Sequence, residues 1–385
     1  MATVGEKEVR GIMSHFESLP DPRSQINRRH LLVDVIVMSI CGVLAGADGP
    51  AAIELWAHTQ HRWLKNYLKL PHGIPSHDTI GRVLEALNPQ AFQSCFTGWL
   101  ASLRDDDDTS QKEAPHYAVD GKALRRSHNR GRGLGPLDLV SVWATERGIT
   151  LGQVATDDKS NEITAIPQLL DQLDLEGAVV TIDAAGCQKA IAQKIVDGGG
   201  DYVLALKGNQ RTLHRGVHEW IEEQIADDFE HVPVSRWEEH ETSHGRVEHR
   251  YYYQLSAPKD LPGRTPWSGL KTIGVVIRFS ERDGEETADV RYYISSLRRH
   301  GKRFARLVRG HWGIENTLHW SLDMTFREDA SRVRARRLAE NLAWLRRLAL
   351  TLVKQHPYKQ SLVMKRRMAG WSVDFLMQVL TGSTV

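Results

Sequence analysis

Between Leu31 and Asp48 the chain runs LLVDVIVMSICGVLAGAD, apolar around the whole helical wheel apart from Asp34 and the final Asp48. A helix of that kind is buried on every side, and its two aspartates leave too short an uncharged stretch to cross a bilayer. AAIELWAHTQHRWLKNYL has apolar residues at helical spacing, at Ile53, Trp56, Trp63 and Leu64. PSHDTIGRVLEAL puts Ile80, Val83, Leu84 and Leu87 on one face, with Ser76 or Asp78 available as cap. Residues 1–108 therefore read as an N-terminal all-α domain, closed by the acidic run RDDDDTSQKE as a linker. Short helices joined by HGIPSHD could form a DNA-reading helix-turn-helix, but an ordinary helical bundle is the preferred reading of this stretch.

After the linker the period changes from helical to alternating. HYAVD, LDLVSVWA and ITLGQVA read as strands, the last two joined into a hairpin by TERG. NEITAIPQLL follows as a helix with Ser160 or Asn161 as cap, then the buried strand AVVTIDA. A helix through QKAIAQKIVDGGG, the strand DYVLALKGN and a helix near 211–226 complete a βββαβαβ order, an α/β fold with two crossover units. Residues 230–297 break that rhythm: HGRVEHRYYYQLS, KTIGVVIRFS and ADVRYYISSL alternate like antiparallel strands. They read as a β-rich insertion before the last core helix, which begins near Lys302 and carries Glu315.

Charge adds a second layer to this picture. The chain's net charge is +2, yet residues 298–347 hold thirteen Lys or Arg against five Asp or Glu, so this segment is +8 and the remainder −6. Such polarity suits a polyanion docking on one region, although solvated helix faces give the same pattern. The arginines of 332–347 alternate with Leu338, Leu342, Leu345 and Leu348, which predicts an amphipathic helix with its basic face on DNA. Three scattered cysteines match no metal or disulfide framework, and the N-terminus lacks a signal-peptide core; both fit a reducing, cytoplasmic setting.

The candidate chemistry lies in three acids. Asp120 follows the strand YAV and Asp183 follows VVTI, so both stand at carboxyl ends of strands, where open α/β sheets gather ligands. Glu315 would add a third acid from the last core helix. Each alone reads as readily as a turn cap or a solvated helix residue. Asp323, eight residues beyond Glu315, lies about 12 Å further along a helix, too far to join them. The same distance separates His311 from His319, and no spaced cysteine set, GxSxG or P-loop is present. An all-carboxylate site suits hard cations such as Mg²⁺ or Mn²⁺.

YAVDGKALRRS, VVTIDAAGCQ, YVLALKGNQ and HWGIENTLHWSLDMTFREDASRVR, in this order, resemble the DDE transposases of bacterial insertion sequences. The H-repeat-associated group linked to Rhs elements is the nearest resemblance, and DPRSQINRRHLL, PSHDTIGRVLEAL and DKSNEITAIPQLL extend it over nearly the whole chain. The resemblance implies a ribonuclease H-like catalytic domain over 109–350, with the insertion inside it and a helical tail at 351–385. It implies Asp120, Asp183 and Glu315 as catalytic metal ligands for two Mg²⁺ or Mn²⁺ ions, cutting and joining DNA at the element's inverted repeats. The Tyr-Arg-Glu-Lys signature of related transposases is absent: its positions hold Val308, His311 and Leu322 around Glu315, with Arg309 out of register.

Lys122, Arg125, Arg126, Lys159, Lys207, Asn209, Arg309 and Trp312 are the candidate DNA contacts, with Trp312 or Trp320 able to stack on an unpaired base. Glu162 reads as a residue favouring a helix N-terminus. Double-stranded DNA, a second copy of the chain in a synaptic dimer, and no membrane are the expected partners, with the protein on the nucleoid when acting. A catalytically silent DNA-binding descendant and a structure-specific nuclease with a ribonuclease H-like core are the alternative readings.

Overall fold

The computed structural model describes residues 4–102, 114–156, 162–243 and 245–382. Helices fill the first described segment: α1 (Val4–Glu17), α2 (Leu32–Leu44), α3 (Pro50–Thr59), α4 (His61–Leu64), α5 (His77–Ala86) and α6 (Pro89–Ser102). The apolar run of α2 is buried almost throughout. Its one acid, Asp34, accepts a hydrogen bond from the Leu70 amide at 2.8 Å, and burial raises its pKa. Ser76, not Asp78, caps α5, accepting from the Thr79 amide. The 51–68 stretch breaks at Gln60 into α3 and α4. No described helix is long and apolar enough to cross a membrane.

Nine strands form one mixed sheet in the order β3-β2-β1-β4-β5-β9-β8-β7-β6. They are β1 (His116–Leu124), β2 (Leu137–Ala144), β3 (Ile149–Thr156), β4 (Val179–Ile182), β5 (Asp201–Leu206), β6 (Val234–Ser243), β7 (Arg246–Ser256), β8 (Thr272–Arg282) and β9 (Glu285–Ser295). β1, β4 and β5 are parallel; β2 runs antiparallel to β1, and β3, antiparallel to β2, returns to the direction of β1. Between them lie α7 (Glu162–Leu170), α8 (Lys189–Asp197) and α9 (Arg211–Ala226). The expected caps of α7, Ser160 and Asn161, lie outside the described residues, as does the acidic linker.

The insertion has four strands where the alternation suggested three, because β6 is also present. It does not stand apart: β9 pairs antiparallel with β5, so the core sheet continues straight into it. Helices α7, α8 and α9 cover one face through the cluster around Ile182, Leu204 and Val217. On the other face lies α10 (Gly301–Gly313), whose Phe304 sits edge-on to Tyr252 and Tyr293 and fills the space a side chain at Gly274 would need.

The chain then passes through a π-helical turn, Ile314–His319, into α11 (Trp320–Phe326), α12 (Arg336–Gln355), α13 (Leu362–Trp371) and α14 (Val373–Thr381). Ile314, Leu318 and Leu322 share one apolar core with α2, α5, α6 and α12. The N-terminal helices are therefore packed through the very segment that carries Glu315.

The expected basic face of α12 is only partly there. Arg332, Arg334 and Arg337 are exposed, but Arg346 and Arg347 are buried at 2% and 1% exposure. Arg347 pairs with the equally buried Glu328 at 3.0 Å, and Arg346 donates to the Asp48 carbonyl at 2.9 Å. Further along, Arg366 donates to the carbonyls of Val43 and Ala47, capping the C-terminus of α2. A buried guanidinium needs several acceptors; these supply part of them, and Nε and Nη2 of Arg347 stay without a partner in the protein.

Candidate active site

β1 does not stop at Asp120, as its sequence suggests, but continues along β2 to Leu124. Only its parallel ladder with β4 ends there: Val119 pairs with Ile182, the last residue of β4. Asp120 and Asp183 thus stand side by side, one residue past the point where the two strands part. One oxygen of Asp183 accepts from the amides of Ala185 and Gly186 at 3.1 and 3.2 Å, which fixes the carboxylate. Gly186 keeps that turn tight, since Ile182 and Ile166 occupy the place of a Cβ.

Glu315 arrives on the π turn, in which the Trp320 amide bonds to the Glu315 carbonyl five residues back. Such a turn shifts side chains relative to an α-helix and recurs at functional sites. Here it buries Ile314 and Leu318 while leaving Glu315 and Asn316 exposed. Glu315 and Asp183 line one cleft of about 480 Å³, together with Lys207, His311 and Trp312.

The acids act on one another. The Asp120 carboxyl is pushed up to about 8, first by burial, then by the charges of Asp183 and Glu315, with Glu162 adding to them. Glu162, read from the sequence as a helix-start residue, lays its carboxylate against Gly121, where no Cβ would fit. Its place beside β1 depends on how α7 packs against the sheet, which nothing in the local sequence specifies.

The histidines belong to the frame of the site. His116 Nε2 and His311 Nδ1 both bond Thr181 Oγ1, at 2.8 and 3.2 Å, tying β1 and α10 to β4. Burial holds these imidazoles neutral, at about 3 and about 4. The neighbouring His319 is also buried, its pKa lowered to about 3, and its Nδ1 lies 3.5 Å from Asp120 Oδ2. Among the described residues no group of three or more His, Cys, Asp or Glu side chains is arranged to hold a metal ion. What the rim offers is neighbouring carboxylates that repel one another, an all-oxygen donor type that fits Mg²⁺ or Mn²⁺.

The candidate DNA contacts divide. Lys122 is buried and gripped by Asp323 and Asp329, each at 2.9 Å, so it anchors the loop after α11 instead of reaching outward. Arg125 pairs with Asp329 but remains exposed, as does Arg126. Lys159 lies outside the described residues. Lys207 is exposed on the cleft, whereas Asn209 donates to the Ala184 carbonyl at 2.7 Å and fastens the turn after Asp183. Arg309 pairs with Glu241 at 3.0 Å. Trp312 lies under the guanidiniums of Arg291 and Arg250, 5.0 and 5.9 Å from its ring, which covers the face a base would stack on.

Residues 111–352 match the family model described as Transposase DDE domain, and residues 13–100 match that of a DDE_Tnp_1-associated region. The chain belongs to the DDE transposase family. Among its relatives, the H repeat-associated putative transposase YhhI of Escherichia coli K12 is 38% identical over 382 residues, 98% of this chain and 99% of its own length. Putative transposase YncI of Escherichia coli O157:H7 is 37% identical over 377 residues, 97% and 95% of the two chains. The DDE match covers all three rim acids, and the associated region covers most of the N-terminal helices.

Proposed function

We propose that this DDE transposase family member cuts and rejoins DNA at the ends of an insertion sequence, with Asp120, Asp183 and Glu315 holding two Mg²⁺ or Mn²⁺ ions. The observation that carries the reading is the meeting of Asp120 and Asp183 where β1 and β4 part, with Glu315 on the same cleft as Asp183; there burial, and then the two neighbouring charges, raise the Asp120 pKa. A buried acid so placed is poised to give up its proton when a cation arrives. The strand order β3-β2-β1-β4-β5, with β2 antiparallel, supports a ribonuclease H-like catalytic core over 109–350. In this reading the helices of 1–108 bind the element's ends, 351–385 is a helical tail, and two copies act in a synaptic dimer.

When bound, the divalent ions polarise the scissile phosphodiester and acidify the attacking water or 3′-hydroxyl. The chain's own part is positioning. Asp120 releases its proton and turns its carboxylate to the rim. Asp183 keeps one oxygen on backbone amides and offers the other. Glu315 closes the site from a turn free of helix-face packing. Lys207, at the edge of the same cleft, orients a backbone phosphate.

The test is a nicking assay with purified protein, Mg²⁺ and a labelled duplex carrying the DNA that flanks the gene. A nick exposing a 3′-hydroxyl, lost in Asp120→Ala with duplex binding retained, is the expected result. Wild-type binding without cutting would give the case to a silent DNA-binding descendant, and cutting only of junctions or hybrids to a structure-specific nuclease.

A further inference from the structure

We propose that the insertion and α10 together build a phosphate cradle beside Glu315 that grips a backbone phosphodiester of the bound DNA. This deepens the functional reading above and rests on it for the identity of the polyanion. Alternation on β7 sends Arg246, Glu248 and Arg250 to one face, the face whose next member, Tyr252, packs under Phe304 of α10. The register places Arg278 of β8 opposite Arg250, and Arg291 of β9 shares the face of Tyr293, which also meets Phe304. Arg309 of α10 closes the ring. These side chains surround a polar pocket of about 310 Å³ that opens on Glu315 and Asn316.

Five guanidiniums line that pocket against the carboxylates of Glu241, Glu248 and Glu315, a surplus of two positive charges. Glu248 and Arg250 are mutually paired and almost fully buried, and Arg250 also holds Glu241 at 3.0 Å, so they form the floor. Even so, the Nε–H groups of Arg250 and Arg278 are buried with no acceptor in the protein. A buried donor without an acceptor is unfavourable, and a phosphodiester oxygen is the acceptor that both planar, forked guanidiniums suit. Arg246, Arg278 and Arg291 are the more exposed arms, at 50%, 29% and 40% side-chain exposure. The cradle would seat a phosphate on the Glu315 side of the rim.

The measurement is the salt dependence of duplex binding without divalent metal, using DNA flanking the gene and the full chain. Each phosphate neutralised contributes close to one unit to the slope of log K against log salt. The triple variant R246Q/R278Q/R291Q is expected to lower that slope by about one. The corresponding lysine triple, which keeps the charges, should restore it. R282Q, at the far tip of β8, should leave it unchanged, and circular dichroism should show the same fold for all four proteins. An unchanged slope in the glutamine triple overturns the cradle while leaving the functional reading intact. So does titration showing that inorganic phosphate binds there when the DNA slope does not move. Failure of the wild-type chain to bind any duplex would overturn both.

Discussion

Two groups of arginines from the same basic half of the chain do opposite work. In α12 and α13, Arg346, Arg347 and Arg366 point inward, where Glu328 and the carbonyls of Val43, Ala47 and Asp48 each accept from one of them. Around the insertion, Arg246, Arg278 and Arg291 border a cleft beside Glu315 and keep part of their surface open. Charge along the sequence points the wrong way, since residues 298–347 carry +8 and residues 230–297 carry −2; what differs is how deeply the fold buries each group. A run of arginines therefore marks a candidate DNA surface only where the fold leaves the guanidiniums within reach of solvent.

Substitutions separate the two groups experimentally. The largest effect belongs to neither arginine group but to the rim they flank. Asp120→Asn, Asp183→Asn or Glu315→Gln should each lower duplex nicking by about a thousandfold or more, with affinity for the duplex nearly unchanged, read by gel-resolved cleavage and filter binding. Next comes Arg347→Ala, which strands the Glu328 charge in a dry core. It should destabilise the fold by about 3–5 kcal/mol in denaturant unfolding, and the double variant R347M/E328L should recover most of that. Lys122→Met should cost less, about 1–3 kcal/mol, because Asp323 and Asp329 are partly exposed and can be solvated when left unpaired. Arg291→Gln, in the open group, should change stability by no more than about 0.5 kcal/mol. An Arg291 variant that unfolds like Arg347→Ala would erase the distinction.

The same rim makes a pH prediction. The folded Asp120 carboxyl lies at about 8 against 3.8 for the unfolded chain, so the metal-free folded state holds the extra proton between those values. Its contribution to stability is fully present below about 4 and is lost as pH rises through 8. Melting of the metal-free protein followed from pH 5 to 9 should show this decline, and Asp120→Asn should remove it. Divalent-ion binding at neutral pH should release about one proton, measurable by titration calorimetry in buffers of different ionisation enthalpy.

Much of this organisation is legible in the chain. The alternating core strands, the crossover helices and the place of the insertion follow from periodicity, since their apolar positions recur at two or near 3.6 residues. β6 escapes that test because its WEEHETS stretch is polar on an exposed edge strand, and only pairing with β7 defines it. Asp120 reads as a strand end because the sequence cannot show that β1 parts from β4 while staying with β2. The π turn is hidden for a similar reason, as IENTLH fits an α-helix equally well. Glu162 reaches Gly121, and Arg347 reaches Glu328, through tertiary packing, so no local pattern announces either contact. The arginine alternation of β7 is visible in the sequence, but its partner helix is not.

The central claim is that Asp120, Asp183 and Glu315 hold divalent cations together at the sheet's rim. Titrating the metal-free protein with Mn²⁺ and counting bound ions by electron paramagnetic resonance tests it without recourse to activity. The account predicts specific binding that Asp120→Asn abolishes and that Asp183→Asn and Glu315→Gln each weaken. Wild-type binding left untouched by all three substitutions would contradict it.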